Sequence, residues 1–424
     1  MSVRYLQNTL TLPNINECDP AEFEKFIKDN VKVILSEYPA ANNTHDFDVF
    51  NGYGGIAFMF FHLHQLFPDF TIEGDKVSNL CIKYLSASLS AVRRSSQDLV
   101  GFLGSHVGPL ALAVVVYETI EENTQESLKY LDIILKKYHP LALKDDWNEL
   151  LYGRTGYLYV LIFIRKYCKN NEEIMARIGN EKLKEIIELV IQDGRNGAVT
   201  YDKNTGPALM WSWYDTEYIG AIHGVAGIIT VILHCEELAR PYFDELFQTI
   251  EWLAGSVPRD KNYPADTQST EDHLVHFCHG APGIVPAFLK IYSLYPTHPS
   301  SKNILSHAVA KTDLVWKRGI LKKGATGLCH NTLGNAYTFL LTYLVTQDEK
   351  QLKRALAFGL YGSEWKDKTQ KGEIRVPDHP WSLFEGLSGG VIYWADVLTV
   401  LKNFQQLGAD GQDKVIGFPC FTDL

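Results

Sequence analysis

HFCHGAPGIVPAFLKIY, residues 276–292, sets a Cys-His pair, a Gly-x-x-Gly step and a nearly all-apolar run in that order. Outward from it the glycine step recurs. Copies end at Gly55, Gly108, Gly156, Gly227, Gly283, Gly334 and Gly389, and in two of them Ser105 and Asn331 fill the first glycine slot. Each step leads into an apolar run such as IAFMFFHLHQL (56–66), PLALAVVVYE (109–118) or YLYVLIFIRK (157–166). A helix that is apolar on every side belongs in the interior. Between these runs lie amphipathic segments with apolar residues at helical spacing, clearest at Phe23–Tyr38, Ser127–Tyr138, Glu181–Gln192, Tyr242–Leu253 and Leu352–Leu360. Apolar alternation at period two is scarce. The chain therefore reads as all-α, a seven-fold α/α toroid with seven inner apolar helices and seven outer amphipathic ones. It reads as one domain over residues 1–424, with a repeat core at about 50–395. Glycine ahead of each inner helix permits a tight turn and close approach where the helices converge, and in most copies packing is its whole role. The polar, Pro- and Gly-containing stretches Gly194–Pro207, Val257–Asp272 and Trp365–Pro380 are expected as rim loops. The tail ending at Leu424 shows no clear pattern.

Composition narrows the function classes. The 424 residues are 46% hydrophobic, enough for a large core, and carry a net charge of −10 without an extended basic run. No nucleic-acid partner is expected. The N-terminal MSVRYLQNTLTLPN lacks the apolar core of a signal peptide. Runs such as Leu110–Val116 fall short of the roughly 18 residues of a membrane span, so no transmembrane segment is expected. Seven scattered cysteines form no disulfide framework. Together these features imply a reducing compartment: cytoplasmic, with the nucleus or a membrane periphery as further places.

The slot five residues before each closing glycine holds Phe50, Leu103, Leu151, Ile222, Cys278, Cys329 and Phe384. The slot four before holds Asn51, Gly104, Tyr152, His223, His279, His330 and Glu385. A ring would bring these positions to one rim. Cys278, Cys329 and His330 offer two thiolates and an imidazole, a donor set suited to Zn²⁺, and three protein ligands leave a fourth position open as in catalytic sites. Thiolates at helix N-termini also gain from the helix dipole. The competing reading is that both cysteines are small buried hydrophobes, as Cys18, Cys81, Cys168, Cys235 and Cys420 outside the slots are expected to be. His279 is either structural or a neighbour of the site. A soft, open metal site suits an incoming thiol, which it would activate for addition to an electron-poor alkene. The resulting enolate needs a proton, and His223 is the leading candidate to supply it.

The motifs ELLYGRTGYLY (149–159), GAIHGVAG (220–227), HFCHGAPG (276–283), KKGATGLCH (322–330) and RVPDHPWSLFEGLSGG (375–390) resemble the lantibiotic cyclase family, specifically its eukaryotic LanC-like branch, over about residues 50–395. The resemblance implies an α/α toroid holding one Zn²⁺ through Cys278, Cys329 and His330, with His223 as acid/base. It implies glutathione as a partner and dehydrated Ser or Thr residues in proteins or peptides as acceptors. It carries glutathione contacts onto Lys323, Arg375, Val376, Pro377 and Asp378, and places Arg154 and Glu149 on the substrate side. Lys322 adds a further cation near the same loops. Three departures stand out. Phe277 replaces a family tryptophan, Asn331 replaces the glycine after His330, and one extra residue within Ala325-Thr326 separates Lys323 from Cys329.

Other α/α toroids house glycosidases and terpene cyclases. Glu149, Asp378 and Glu385 could be pressed into a carboxylate pair, but that chemistry leaves Cys278 and Cys329 unexplained. Asp145-Asp146, the only adjacent aspartates, lie outside the slots. The stronger alternative is non-enzymatic: a zinc- and glutathione-binding scaffold or signalling protein, which turnover of glutathione would distinguish.

Overall fold

The computed structural model describes residues 3–41, 45–407 and 417–424. Helices alternate between two layers. The outer helices are α1 (Pro20–Glu37), α3 (Val77–Arg94), α5 (Thr124–Ile133), α7 (Asn180–Gly197), α9 (Phe243–Gly255), α11 (Ser301–Arg318) and α13 (Glu349–Ser363). The inner ones are α2 (Tyr53–Leu66), α4 (Val107–Thr119), α6 (Arg154–Tyr167), α8 (Val225–Ile232), α10 (Ala281–Leu294), α12 (Thr332–Thr346) and α14 (Leu387–Leu407). Each inner helix packs on the next, and α14 packs back on α2, so the inner ring closes. The first outer helix, α1, lies against the last inner one, α14, which joins the two ends of the sequence across the seam. This is the expected α/α toroid.

The two layers follow from their side chains. In α7 the buried residues Leu183, Ile186, Ile187, Val190 and Ile191 form one stripe at helical spacing. Each such side chain contributes about 2 kcal/mol when removed from water. In α4 every residue from Val107 to Val116 is buried, as a helix enclosed by neighbours requires. Three of the seven outer helices start on side-chain caps: Asp19 accepts from Ala21 N–H, Asn123 from Glu126 N–H and Asp348 from Lys350 N–H. The inner helices α2, α6, α8 and α12 start on Gly52, Gly153, Gly224 and Asn331 without one. A side chain at the closing glycine would collide with the preceding turn. At Gly227 a Cβ would stand 1.7 Å from the carbonyl oxygen of Ala221.

Two of the expected rim loops are partly helical. The stretch from Gly194 begins as the end of α7 and continues in a short 3-10 turn at Ala198–Thr200, and Trp365–Gln370 is a short helix. Val257–Asp272 is irregular as expected. The tail, unreadable from pattern, fills the centre of the ring. Phe418 stacks on Phe277 with centroids 3.9 Å apart, Tyr159 OH donates to the Asp423 carboxylate at 2.9 Å, and His234 Nε2 lies 2.7 Å from the Phe421 carbonyl. Only a segment on the ring axis could touch α6, the end of α8 and the loop before α10 together.

A second buried network spans the inner layer. His62 Nε2 of α2 lies 2.7 Å from Asp396 Oδ1 of α14, and Tyr337 OH of α12 donates to Asp396 Oδ2 at 2.7 Å. All three side chains are buried, so Asp396→Leu would strand two polar groups. The expected loss is about 3 kcal/mol, read as a lowered denaturant midpoint with helical content retained.

Candidate metal centre and its rim

The slots meet through the backbone. Phe50 N–H donates to Leu103 O, Leu150 N–H to Ile222 O, Cys278 N–H to Cys329 O, Cys329 N–H to Phe384 O, and Phe384 N–H to Phe50 O, at 2.7–3.3 Å. This belt of hydrogen bonds joins the turns ahead of the inner helices. It turns a sequence register into a spatial one: two cysteines in the same slot of consecutive copies become neighbours. The Cys278 and Cys329 sulfurs and a His330 ring nitrogen lie within 4.8 Å of one another. Among the described residues no other group of His, Cys, Asp and Glu meets that spacing.

The donor set fits zinc. Zn–S bonds of about 2.3 Å and Zn–N bonds of about 2.0 Å can be reached from these positions with small side-chain movements. The hydrogen bond from Cys329 draws the Cys278 thiol well below its usual range, while the same contact and burial push Cys329 up. His276 Nδ1 stands 4.0 Å from Cys278 Sγ, and Glu385 Oε1 3.6 Å from His330 Nε2.

Local structure supports each donor. Gly280 sits at φ 114°, and a Cβ there would lie 2.1 Å from the carbonyl oxygen of Leu274. Asn262, buried, accepts from Ala281 N–H at 2.9 Å and donates to Leu274 O at 2.7 Å, pinning the loop that carries Cys278. Asn331, the departure beside His330, has φ −124° and ψ 173°, an extended conformation open to any residue. Its side chain fits because Gly324 and Gly327 leave room, and its amide donates to Glu385 O at 2.9 Å. Sequence reasoning missed Asn262, His276 and the clamp made by Asn331, since none follows from slot position.

On the neighbouring sector His223 Nδ1 lies 2.7 Å from Glu149 Oε2. Glu149 is 1% exposed and also accepts from the N–H groups of Leu151, Tyr152 and Gly153. A carboxylate held this firmly fixes the imidazole by one edge and leaves Nε2 for other work. His279 stands between the two sectors, its ring 6.2 Å from that of His223, and burial lowers its basicity. Trp213 lies flat on His223, a contact that only the cluster of aromatics in WSWYD (211–215) could have signalled.

The cationic loops stand on the opposite flank. Arg375 N–H donates to Lys322 O at 2.9 Å, Lys323 Nζ is 3.9 Å from Asp378 Oδ2, and the Lys323 charge reaches Cys329. Arg375, Val376 and Asp378 are exposed and Pro377 half-buried, so this segment offers an accessible edge. The Arg154 guanidinium is buried and bonds Ala142 O at 2.9 Å, Asn148 Oδ1 at 3.1 Å and Asp193 Oδ2 at 2.5 Å, so it braces α6 against α7. A guanidinium has few donors left after three such contacts.

No helix among the described residues is long and apolar enough to cross a membrane. Comparison with solved structures finds the same toroid in nisin cyclase, with a TM-score of 0.63 at 14% identity over 88% of this chain and 94% of that one. Among sequences, the chain is 33% identical over 383 residues to glutathione S-transferase LANCL1 of Danio rerio, covering 88% of this chain and 84% of the relative. It is 29% identical over 252 residues to LanC-like protein GCL1 of Arabidopsis thaliana, covering 59% of this chain and 55% of the relative. The profile of the lanthionine synthetase C-like protein family matches residues 43–405, which take in twelve of the fourteen ring helices whole and nearly all of α14. With its toroid, its glycine register and that match in agreement, the chain belongs to the lanthionine synthetase C-like family.

Proposed function

We propose that this protein is a zinc-dependent glutathione transferase that adds the glutathione thiol to electrophilic alkenes, such as dehydroalanine and dehydrobutyrine residues in proteins or peptides. The observation that carries the reading is the convergence of Cys278, Cys329 and His330 within 4.8 Å on the rim that also holds the His223–Glu149 pair. The name of the 33% identical relative, a glutathione S-transferase, supports the same chemistry.

Cys278, Cys329 and His330 would hold the zinc ion, which when bound supplies Lewis acidity that makes an incoming thiol nucleophilic at neutral pH. Arg375 and Lys323 face the two carboxylates of glutathione and orient its sulfur. The sulfur forms a bond to the β-carbon of the alkene as the π bond breaks, and the electron pair passes to the α-carbon and its carbonyl. His223, oriented by Glu149, delivers a proton at the α-carbon. Overall S–H adds across C=C, and no group leaves.

Incubation with glutathione and a dehydroalanine peptide tests the reading: the peptide should gain the mass of one glutathione, at a rate that depends on protein concentration. Consumption no faster than in buffer would leave the zinc- and glutathione-binding scaffold in its place. Arg375→Ala should weaken glutathione binding by about 1.5 kcal/mol, roughly tenfold in Kd. The low end of the charged hydrogen-bond range applies because Arg375 is exposed. Calorimetry giving an unchanged Kd would move the thiol-carrying ligand off this loop.

A further inference from the structure

Tyr214 (φ 48°) and Asp215 (φ 59°) are consecutive non-glycine residues at positive φ. They form the tip of a two-residue hairpin, in which Trp213 N–H donates to Thr216 O at 2.9 Å and Thr216 N–H to Trp213 O at 3.1 Å. Turns with positive φ at both central positions favour Asn-Gly or Asp-Gly. A tyrosine in the first position is strained, and strain of this kind persists where surrounding contacts impose it and gathers at functional sites.

The hairpin sets Trp213 on His223. The rings are parallel to within 3°, with centroids 4.0 Å apart. The indole has no polar anchor of its own, since Trp213 Nε1 is buried without a hydrogen-bond partner among the described residues. It is held by the hairpin and by the rings of Trp147, Tyr152 and Tyr218, at 6.1–6.4 Å. Glu149 fixes only one edge of the imidazole. That bond and the covalent tether at Cγ restrain two points of the ring and leave its plane some freedom to tilt. A flat ring on its face removes that freedom.

We propose that Trp213 is a positioning residue for His223, pressed into place by the strained 213–216 hairpin. The proposal rests on the reading of His223 as the proton donor to the α-carbon. Glu149 and Trp213 then act as complementary restraints, one on the edge of the imidazole and one on its plane. Nε2 is thereby aimed at a fixed point on the rim, and small errors in such aim are costly in rate.

The test compares Trp213→Leu and Trp213→Phe with the wild type in the dehydroalanine assay, with zinc content measured alongside. Trp213→Leu should lower kcat by about 10- to 100-fold and leave the glutathione KM and zinc content within about twofold, whereas Trp213→Phe, which keeps a flat ring, should return to within about threefold of wild type. In NMR spectra the His223 ring protons should be shifted upfield by the indole in the wild type and move back in Trp213→Leu. A Trp213→Leu enzyme with wild-type kcat overturns the proposal, as does one in which zinc, KM and kcat fall together. If the wild type shows no turnover, the transferase reading fails by itself. The positioning role for proton delivery falls with it, and the NMR result then decides only the contact: His223 signals unmoved by Trp213→Leu overturn the stacking, and loss of the upfield shift upholds it.

Discussion

Cys278→Ala and Cys329→Ala should each come off purification with most of their zinc gone, and should be close to inactive in thiol addition. Substitutions of groups that merely support a ligand cost about 10- to 100-fold in metal affinity, and loss of one of three direct donors should exceed that. The remaining Cys-His pair is too few to hold the ion against a competing chelator. Folding should survive. The backbone bonds that lock these turns, Cys278 N–H to Cys329 O and Cys329 N–H to Phe384 O, do not use the thiols. Both side chains are small and buried, so alanine leaves only a modest void. Metal analysis with chelator competition, beside circular dichroism, separates the two effects. Full zinc retention in both variants would remove the centre from these residues and return the cysteines to packing.

His223→Asn should keep zinc and glutathione yet slow addition by about 10²–10⁴-fold, the usual size of a general acid–base contribution. Glu149 still caps the Leu151, Tyr152 and Gly153 N–H groups in this variant, so the rim turn it holds should stay in place. Asparagine can retain a bond to that carboxylate while supplying no titratable proton. Zinc loss in His223→Asn would make the histidine a ligand or a fold element. A wild-type rate with intact zinc would assign the proton to another group, with His279, its ring 6.2 Å from that of His223, the next histidine to test.

The sequence alone determined the layers. Apolar runs behind each Gly-x-x-Gly step and amphipathic stretches between them are local signals, because helix period and burial are written into every few residues. Counting the steps gave seven repeats, and the common slots put Cys278, Cys329 and His330 together before any coordinates did. A repeat converts position in sequence into position in space, which an ordinary fold does not.

Tertiary structure alone decided what faces what. Arg154 sits at the start of an inner helix beside the rim motif, yet its long side chain reaches outward to Asp193 of α7. The rotamer that wins is set by a partner 39 residues away. Phe418, Phe421 and Asp423 carry no period, and their place on the ring axis follows from the hole that seven convergent helices leave. Trp213 reaches His223 through a hairpin held against local backbone preference, so no propensity could have announced it. Asn331, disfavoured by comparison with the family's glycine, is accommodated because Gly324 and Gly327 vacate the space its side chain fills. Local spacing fixes which residues share a rim. The direction each side chain takes there is a contest among contacts distant in sequence, and only the packed ring settles it.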